Sequence, residues 1–299
     1  MKKMLIIGSE GFLGWNFSRY FAEKFKITGV DVVERSSCAN DFIKISDHTN
    51  DLKKIFKESV FDFCINCSGS SSVQKSFIDP YGDYLSNVDV VIHLLEAIRC
   101  FSPECKFINI SSAAVYGNPE KLPVKETDTL NPISPYGFHK MIAENVLQEY
   151  SKVFGMKTVS LRIFSAYGPG QKKLFLWDLY QKMKTSENVE LFGSGNESRD
   201  YIFIDDIAKM VEKVVENSKF EGEQINCASG VESKIKDVAE LFAHIFEWNG
   251  TINFSKERIS GYPDNWKADV SLARSMGFVP RNSIEKGIKE YIKWLKELN

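Results

Sequence analysis

The chain has 299 residues, of which 43% are hydrophobic and 26% charged, and its formal net charge is -2. This is ordinary for a soluble globular protein, and the length allows one large α/β domain or one domain with a smaller lobe. No basic run stands out, so charge gives no reason to expect nucleic acid or an anionic membrane as partner.

The chain opens on Met1-Lys-Lys-Met-Leu-Ile-Ile-Gly8. The apolar run is too short for a signal core, and no later segment approaches the ~20 apolar residues that span a bilayer, so a cytoplasmic protein is expected. Met4–Ile7 reads as a first strand and Phe12–Lys24 as a first helix. Between them lies Gly8-Ser-Glu-Gly11-Phe12-Leu13-Gly14, a variant spacing of the Rossmann glycine loop. Glycine allows a tight turn and close approach to a pyrophosphate, and the helix start offers free N–H groups and a partial positive charge. Ile27–Asp31 reads as the second strand. Asp31, about 20 residues past the loop, is placed to accept hydrogen bonds from the adenosine ribose hydroxyls and to repel a 2′-phosphate. It can also be a strand-end turn residue, and Arg35 nearby would soften the preference. NAD(H) is therefore expected over NADP(H). A third strand covers Phe42–Ile45. Asp47 then either reaches the adenine or caps a helix over Thr49–Lys57.

Phe61–Asn66 reads as a buried strand, followed by a helix over Asp83–Arg99 and a strand over Lys106–Ile110. Cys64 and Cys67 match C-x-x-C, but on a strand positions three apart face opposite sides, which argues against a redox pair. Cys38, Cys100, Cys105 and Cys227 are scattered, so no disulfide framework is expected. The four histidines lie far apart in sequence, and no metal-ligand spacing is seen. A helix over Pro135–Phe154 and a strand over Thr158–Arg162 complete an alternation that predicts a parallel sheet covered on both faces.

Beyond Arg162 the pattern is less regular. Tyr167-Gly-Pro-Gly170 marks a turn. Helices are expected over Leu174–Lys184, Asp205–Asn217, Ile235–Phe246 and Ile284–Leu298, and strands over Val189–Phe192 and Tyr201–Ile204. The expected architecture is a Rossmann-type doubly wound α/β core over 1–165, with 200–228 returning to it. A smaller substrate lobe is assigned to 166–199 and 229–299.

Tyr136 and Lys140 stand at i and i+4, on one helix face. An ammonium beside a phenol favours the phenolate and moves the tyrosine toward acid–base use. Tyr20/Lys24 and Tyr180/Lys184 repeat the spacing. Only Tyr136 lies between the fifth and sixth strands, after a loop carrying Ser111 and Ser112, beyond the carboxyl ends of the strands where open α/β folds bind ligands. Ser112 is placed to donate to a substrate oxygen; the serine pair can also serve as a cap or turn.

In this order the motifs resemble the extended short-chain dehydrogenase/reductases, specifically the NAD-dependent nucleotide-sugar epimerase/dehydratase group. The resemblance covers nearly the whole chain. It rests on Gly8-x-x-Gly11-x-x-Gly14, Asp31, Val73-x-x-Ser76, Asn87 and Ser111-Ser-Ala-Ala-Val-Tyr-Gly117. It continues through Ser134-Pro-Tyr136-x-x-x-Lys140, Tyr167-Gly-Pro169, Ser198-Arg-Asp-Tyr-Ile-Phe-Ile-Asp-Asp206 and Asp269. It implies that Ser112, Tyr136 and Lys140 are catalytic. The implied cofactor residues are Gly8, Gly11, Phe12, Leu13, Gly14, Asp31, Asp47, Asn87 and Ser111, together with Tyr136 and Lys140. The implied substrate residues are Ser76, Ser112 and Ser165, with Arg199 and Arg258 on a nucleoside diphosphate, a task suited to the guanidinium fork.

The departures narrow the chemistry. Family 4,6-dehydratases carry an Asp-Glu pair after the catalytic Ser or Thr, where this chain has Ala113 and Ala114. Epimerases often have Thr at the second of these positions and Asn where Ser165 stands, and the glycine loop normally begins Thr-Gly rather than Ile7-Gly8. A C4 epimerase and a 4-keto(-6-deoxy)-sugar reductase both fit a nucleoside-diphosphate hexose, with a 4,6-dehydratase behind them. A non-catalytic dinucleotide sensor commonly lacks the Tyr or Lys. A steroid or phenolic reductase has no use for two phosphate-binding arginines. The oligomeric state stays open, with a homodimer among the options.

Overall fold

The computed structural model of the protein describes residues 1–35 and 39–298; Cys38 lies outside the described residues. The strands of the first half are β1 (Lys3–Ile7), β2 (Lys26–Asp31), β3 (Asp41–Lys44), β4 (Phe63–Asn66), β5 (Lys106–Ser112) and β6 (Thr158–Ile163). The helices between them are α1 (Phe12–Phe21), α2 (His48–Glu58), α3 (Val73–Ile78), α4 (Pro80–Tyr84), α5 (Val90–Phe101) and α6 (Pro135–Phe154). The second half adds β7 (Ser165–Tyr167), α7 (Leu174–Thr185), β8 (Asn188–Leu191), β9 (Ser198–Phe203), α8 (Ile204–Asn217) and β10 (Glu221–Cys227). It ends with β11 (Glu232–Lys234), α9 (Ile235–Phe246), β12 (Thr251–Phe254), α10 (Ser271–Ser275) and α11 (Ile284–Glu297).

Among the described residues the main sheet has seven strands in the order β10-β6-β5-β4-β1-β2-β3, and every pairing in it is parallel. This is the doubly wound Rossmann-type sheet. Strand β1 shows why both faces are covered. Met4 and Ile6 enter one apolar cluster with Phe17 and Phe21 of α1. Leu5 and Ile7 enter the other with Leu52 and Phe56 of α2 and Leu94 of α5. Alternate side chains of a strand point to opposite faces, so a strand buried on both faces must be apolar throughout. The first cluster runs on into the second half through Tyr180, Phe242 and Tyr291.

Three local expectations change. The helix expected from Asp83 begins earlier, as α3 and α4, and passes through a π turn over Leu85–Asp89 before α5. Strand β5 runs on to Ser112, so Ser111 and Ser112 end a strand instead of sitting in a loop. Strand β9 does not return the chain to the main sheet. It pairs with β7 and β11 in a separate three-stranded sheet, and the returning strand is β10, beside β6. The proposed substrate lobe also holds the parallel pair β8/β12. Among the described residues no helix is long and apolar enough to cross a membrane.

Candidate active site

Gly8 turns the chain at the end of β1 with φ +75°, and its N–H donates to the Val30 carbonyl at 2.8 Å. A Cβ on Gly14 would lie 2.1 Å from the Gly8 carbonyl oxygen, so only glycine lets α1 pack this closely. Gly11 is the N-cap of α1, and no side chain caps that end or places an acid in its first turn. The first N–H groups, on Phe12 and Leu13 among others, are therefore available to an anion, the cradle that a dinucleotide pyrophosphate requires.

Asp31 faces this loop. Its carboxylate accepts from Glu10 N at 2.9 Å and from Val32 N at 2.7 Å, which ties the end of β2 to the glycine turn. The Arg35 guanidinium donates to the Ala39 carbonyl instead of standing free beside Asp31. Asp31→Ala is therefore expected to narrow the preference for NAD(H) over NADP(H). Titrating both cofactors against both proteins checks this, and tighter NADP(H) binding by the unmodified chain would refute the role given to Asp31. Asp47 takes the capping alternative: its carboxylate accepts from Thr49 N at 2.8 Å at the start of α2. Asn87 sits in the π turn, a helix irregularity often found at functional sites. Its amide donates to the Asp83 carbonyl at 3.1 Å. Its Oδ1 is buried without a hydrogen-bond partner among the described residues. The glycine cradle and this unpaired acceptor fit a bound dinucleotide.

The start of α6 explains where Tyr136 sits. Ser134 caps the helix by accepting from Gly137 N at 3.1 Å, and Pro135 occupies the first turn. A Cβ on Gly137 would lie 2.6 Å from the Ala114 carbonyl oxygen, so glycine lets α6 press against the short turn after β5. Tyr136 is buried there beside the Ser112 hydroxyl, which favours its phenolate. Lys140, one turn on, donates to the Ile110 carbonyl at 2.9 Å, and its Nζ lies 5.8 Å from the Tyr136 ring centre. Ser112 also accepts from Ala114 N at 3.1 Å, so the cap reading and the site reading hold together.

Burial dominates the electrostatics. It pushes the Tyr136 phenol up to about 12; the Ser112 hydrogen bond opposes the shift and the Asp83 charge adds to it. Burial also brings the Lys140 ammonium down to about 8, against the charges of Asp83, Cys67 and Glu144. The expectation that the ammonium lowers the phenol is therefore not met: burial sets the direction at Tyr136.

Two further serines depart from expectation. The Ser111 hydroxyl donates to Glu144 at 2.6 Å, on the face of β5 opposite Ser112. Ser76 is fully buried; its hydroxyl donates to the Val73 carbonyl at 2.7 Å and accepts from Tyr136 N at 3.1 Å. It therefore ties the start of α6 to α3. Ser165 lies half-buried in β7, opposite Tyr201.

Arg199 and Arg258 come together around Asp264. Arg199 Nη1 donates to the carbonyls of Ser198 at 2.7 Å and Asp264 at 3.2 Å, and its guanidinium lies 5.6 Å from the Trp266 ring centre. Arg258 Nη1 stands 3.3 Å from Asp264 Oδ1, with its side chain 79% exposed. The repeated Tyr/Lys spacings are engaged elsewhere. The Tyr20 hydroxyl and the Lys24 ammonium both donate to Glu212, and the Tyr180 hydroxyl donates to the Leu295 carbonyl at 3.3 Å. Cys64 and Cys67 are free and belong to opposite apolar clusters, and burial pushes both thiols up.

Sequence reasoning missed two buried pairs beside the site. Asp83 Oδ2 stands 2.6 Å from His139 Nδ1, while Asp83 Oδ1 is buried with no hydrogen-bond partner among the described residues. Glu144 and Arg162 form a buried ion pair at 2.7 Å. His139 lies inside the Tyr136–Lys140 turn, which was the one signal available for the first pair. The second left no local signal, because its partners stand on different elements.

Comparison with known proteins agrees with this geometry. The sequence profile described as "NAD dependent epimerase/dehydratase family" matches residues 4–228. A putative UDP-glucose 4-epimerase of Methanocaldococcus jannaschii is 25% identical, with 99% of each chain covered. An uncharacterized UDP-glucose epimerase of Bacillus subtilis is 29% identical, covering 99% of this chain and 98% of the relative. Among solved structures, a UDP-N-acetylglucosamine 4-epimerase from Methanobrevibacter ruminantium with UDP-N-acetylmuramic acid superposes with a TM-score of 0.91 at 26% identity, covering 100% of this chain and 99% of that one. UDP-glucuronic acid 4-epimerase from Bacillus cereus, with UDP-glucuronic acid and NAD, gives 0.90 at 27% identity, covering 99% and 100%.

Proposed function

The chain belongs to the NAD dependent epimerase/dehydratase family, and from that premise we propose that it is an NAD-dependent epimerase inverting C4 of a UDP-linked hexose. The observation that carries this reading is the convergence of Ser112, Tyr136 and Lys140 at one end of β5, with Ala113 and Ala114 where a dehydratase needs carboxyl groups. Similarity along the whole chain to proteins named UDP-sugar 4-epimerases supports the uridine nucleotide and the C4 position.

Gly8, Gly11, Gly14 and the N–H groups opening α1 would hold the pyrophosphate of NAD, and Asp31 its adenosine ribose. NAD, when bound, would supply the reversible hydride acceptor for C4. Tyr136 Oη takes the O4 proton as C4 is oxidised and gives it back as the ketone is reduced. Ser112 donates a hydrogen bond to the same oxygen and holds the phenol in line. Lys140, anchored on the Ile110 carbonyl, keeps positive charge near the phenolate while Tyr136 holds no proton.

Incubation with UDP-glucose, UDP-N-acetylglucosamine and UDP-glucuronic acid tests the proposal. The expected result is conversion of at least one of them to its C4 epimer, with no net consumption of cofactor. Stoichiometric consumption of NADH with a 4-keto sugar, and no epimer formed, would establish a reductase instead.

We assign the diphosphate to Arg199, a half-buried residue that donates to the Asp264 carbonyl and whose guanidinium lies 5.6 Å from the Trp266 ring centre. A charge-assisted phosphate contact is worth roughly 1.5–3 kcal/mol. Arg199→Ala should raise KM for the nucleotide sugar about ten- to a hundredfold. NAD affinity should hardly change, because the glycine loop lies elsewhere. Steady-state kinetics and cofactor titration separate the two; equal damage to NAD binding would remove Arg199 from the substrate site.

A further inference from the structure

Two histidines that lie far apart in the chain meet at one carboxylate. His48 is the first residue of α2, Asp89 closes the π turn, and His93 follows one turn later on α5. His48 Nε2 stands 2.9 Å from Asp89 Oδ2, and His93 Nε2 stands 3.4 Å from the same oxygen. The three ligand atoms all lie within 4.8 Å of one another. We propose that His48, Asp89 and His93 form a binding site for a divalent transition-metal ion, of the zinc, cobalt or nickel class.

The spacing suits such an ion. Donor atoms at about 2.0–2.2 Å from zinc stand roughly 3–4 Å from each other, so small rotations close the three atoms around one centre. Asp89 and His93 are i and i+4 neighbours on one helix face and chelate without backbone movement. Two imidazole nitrogens with one carboxylate oxygen select zinc, cobalt or nickel over calcium or magnesium, which require oxygen ligands. The scaffold is rigid, because Leu52, Ile55 and Phe56 of α2 share a buried cluster with Val90, Val91 and Leu94 of α5. The side chains are 24–38% exposed, so an ion can reach them from solvent. His48 sits at a helix N-terminus, which disfavours a cation, but Asp47 and Asp51 in the same turn supply offsetting negative charge. The site is outside the residues assigned to catalysis. An ion there would tie the start of α2, where Asp47 sits, to the π turn that carries Asn87.

The test uses the NAD-loaded protein and Zn²⁺ or Co²⁺ alone. Calorimetry should give one high-affinity ion per chain, and Co²⁺ should acquire a visible ligand-field spectrum. His48→Ala, His93→Ala and Asp89→Asn should each weaken binding by at least about tenfold, the lower end of the loss seen when even an outer-sphere partner is removed. Zn²⁺ should raise the Tm of the unmodified protein and leave that of the His48→Ala/His93→Ala variant unmoved. Metal-free melting of each variant reads its fold separately from its binding. Absence of binding would overturn the proposal. Undiminished binding in the double variant would also overturn it, and would move the ion to another donor such as the exposed thiol of Cys100.

Discussion

Tyr136→Phe is expected to lower kcat roughly 10²–10⁴-fold while the fold and NAD affinity persist, the range for loss of a positioned acid–base group. Phenylalanine fills the same buried space and keeps the backbone N–H that donates to Ser76. What disappears is the phenol oxygen that the proposed mechanism uses to take the O4 proton beside Ser112. Lys140 does not replace it, because its Nζ is held on the Ile110 carbonyl at 2.9 Å. The matched control is Tyr180→Phe. That hydroxyl donates to Leu295 in the C-terminal helix, and its loss should leave kcat within a few-fold of the parent. Single-turnover kinetics on both variants decide the matter, and near-normal turnover in Tyr136→Phe would remove Tyr136 from the mechanism.

Glu144→Ala should cost about 3–5 kcal/mol of stability, the typical penalty for stripping one partner from a buried pair. Glu144 and Arg162 are each 2–3% exposed. Arg162 gives Nε and Nη2 to the carboxylate, and Nη1 to the Tyr116 hydroxyl at 2.8 Å and the Glu126 carbonyl at 3.0 Å. Tyr116 in turn donates to Asn226 on β10 at 2.7 Å. The network therefore joins β5, α6, β6 and β10 underneath the catalytic end of the sheet. Removing Glu144 leaves a guanidinium without its counter-charge and Ser111 without its acceptor. Replacing both charged partners, Glu144→Ala with Arg162→Met, should cost less than the two single losses added. Urea unfolding of the two single variants and the double variant measures this. A single-variant cost below about 1 kcal/mol would show that the pair is not what holds these strands together.

The parts legible beforehand share one property: their signals are local. Helix α6 is read at both ends because Ser134 and Pro135 open it and Gly155, in the left-handed region at φ 66°, closes it. The first six strands are short apolar runs next to turn residues. The parts missed carry weak or mixed signals. Strand β10, Glu-Gly-Glu-Gln-Ile-Asn-Cys, sits at the edge of the sheet, and its polar first half hides the apolar pattern. The π turn has no sequence pattern of its own. Strand β9 looks like any buried strand, and nothing local says that it joins a second sheet instead of the first.

The sequence by itself determined the glycine turn, the acid closing β2 and the Tyr136/Lys140 helix face, because each is decided by backbone conformation and spacing over a few residues. Only the tertiary structure decided what those groups experience. The shifts at Tyr136 and Lys140 come from burial, which depends on the whole enclosing fold. Asp83 finds His139, Glu144 finds Arg162, and His48 finds Asp89 and His93 only when distant elements pack. Arg199 and Arg258 meet only because the Asp264 segment folds back over β9. Charge interaction falls with distance in space and not along the chain, so these contacts leave no local trace in the order of the residues.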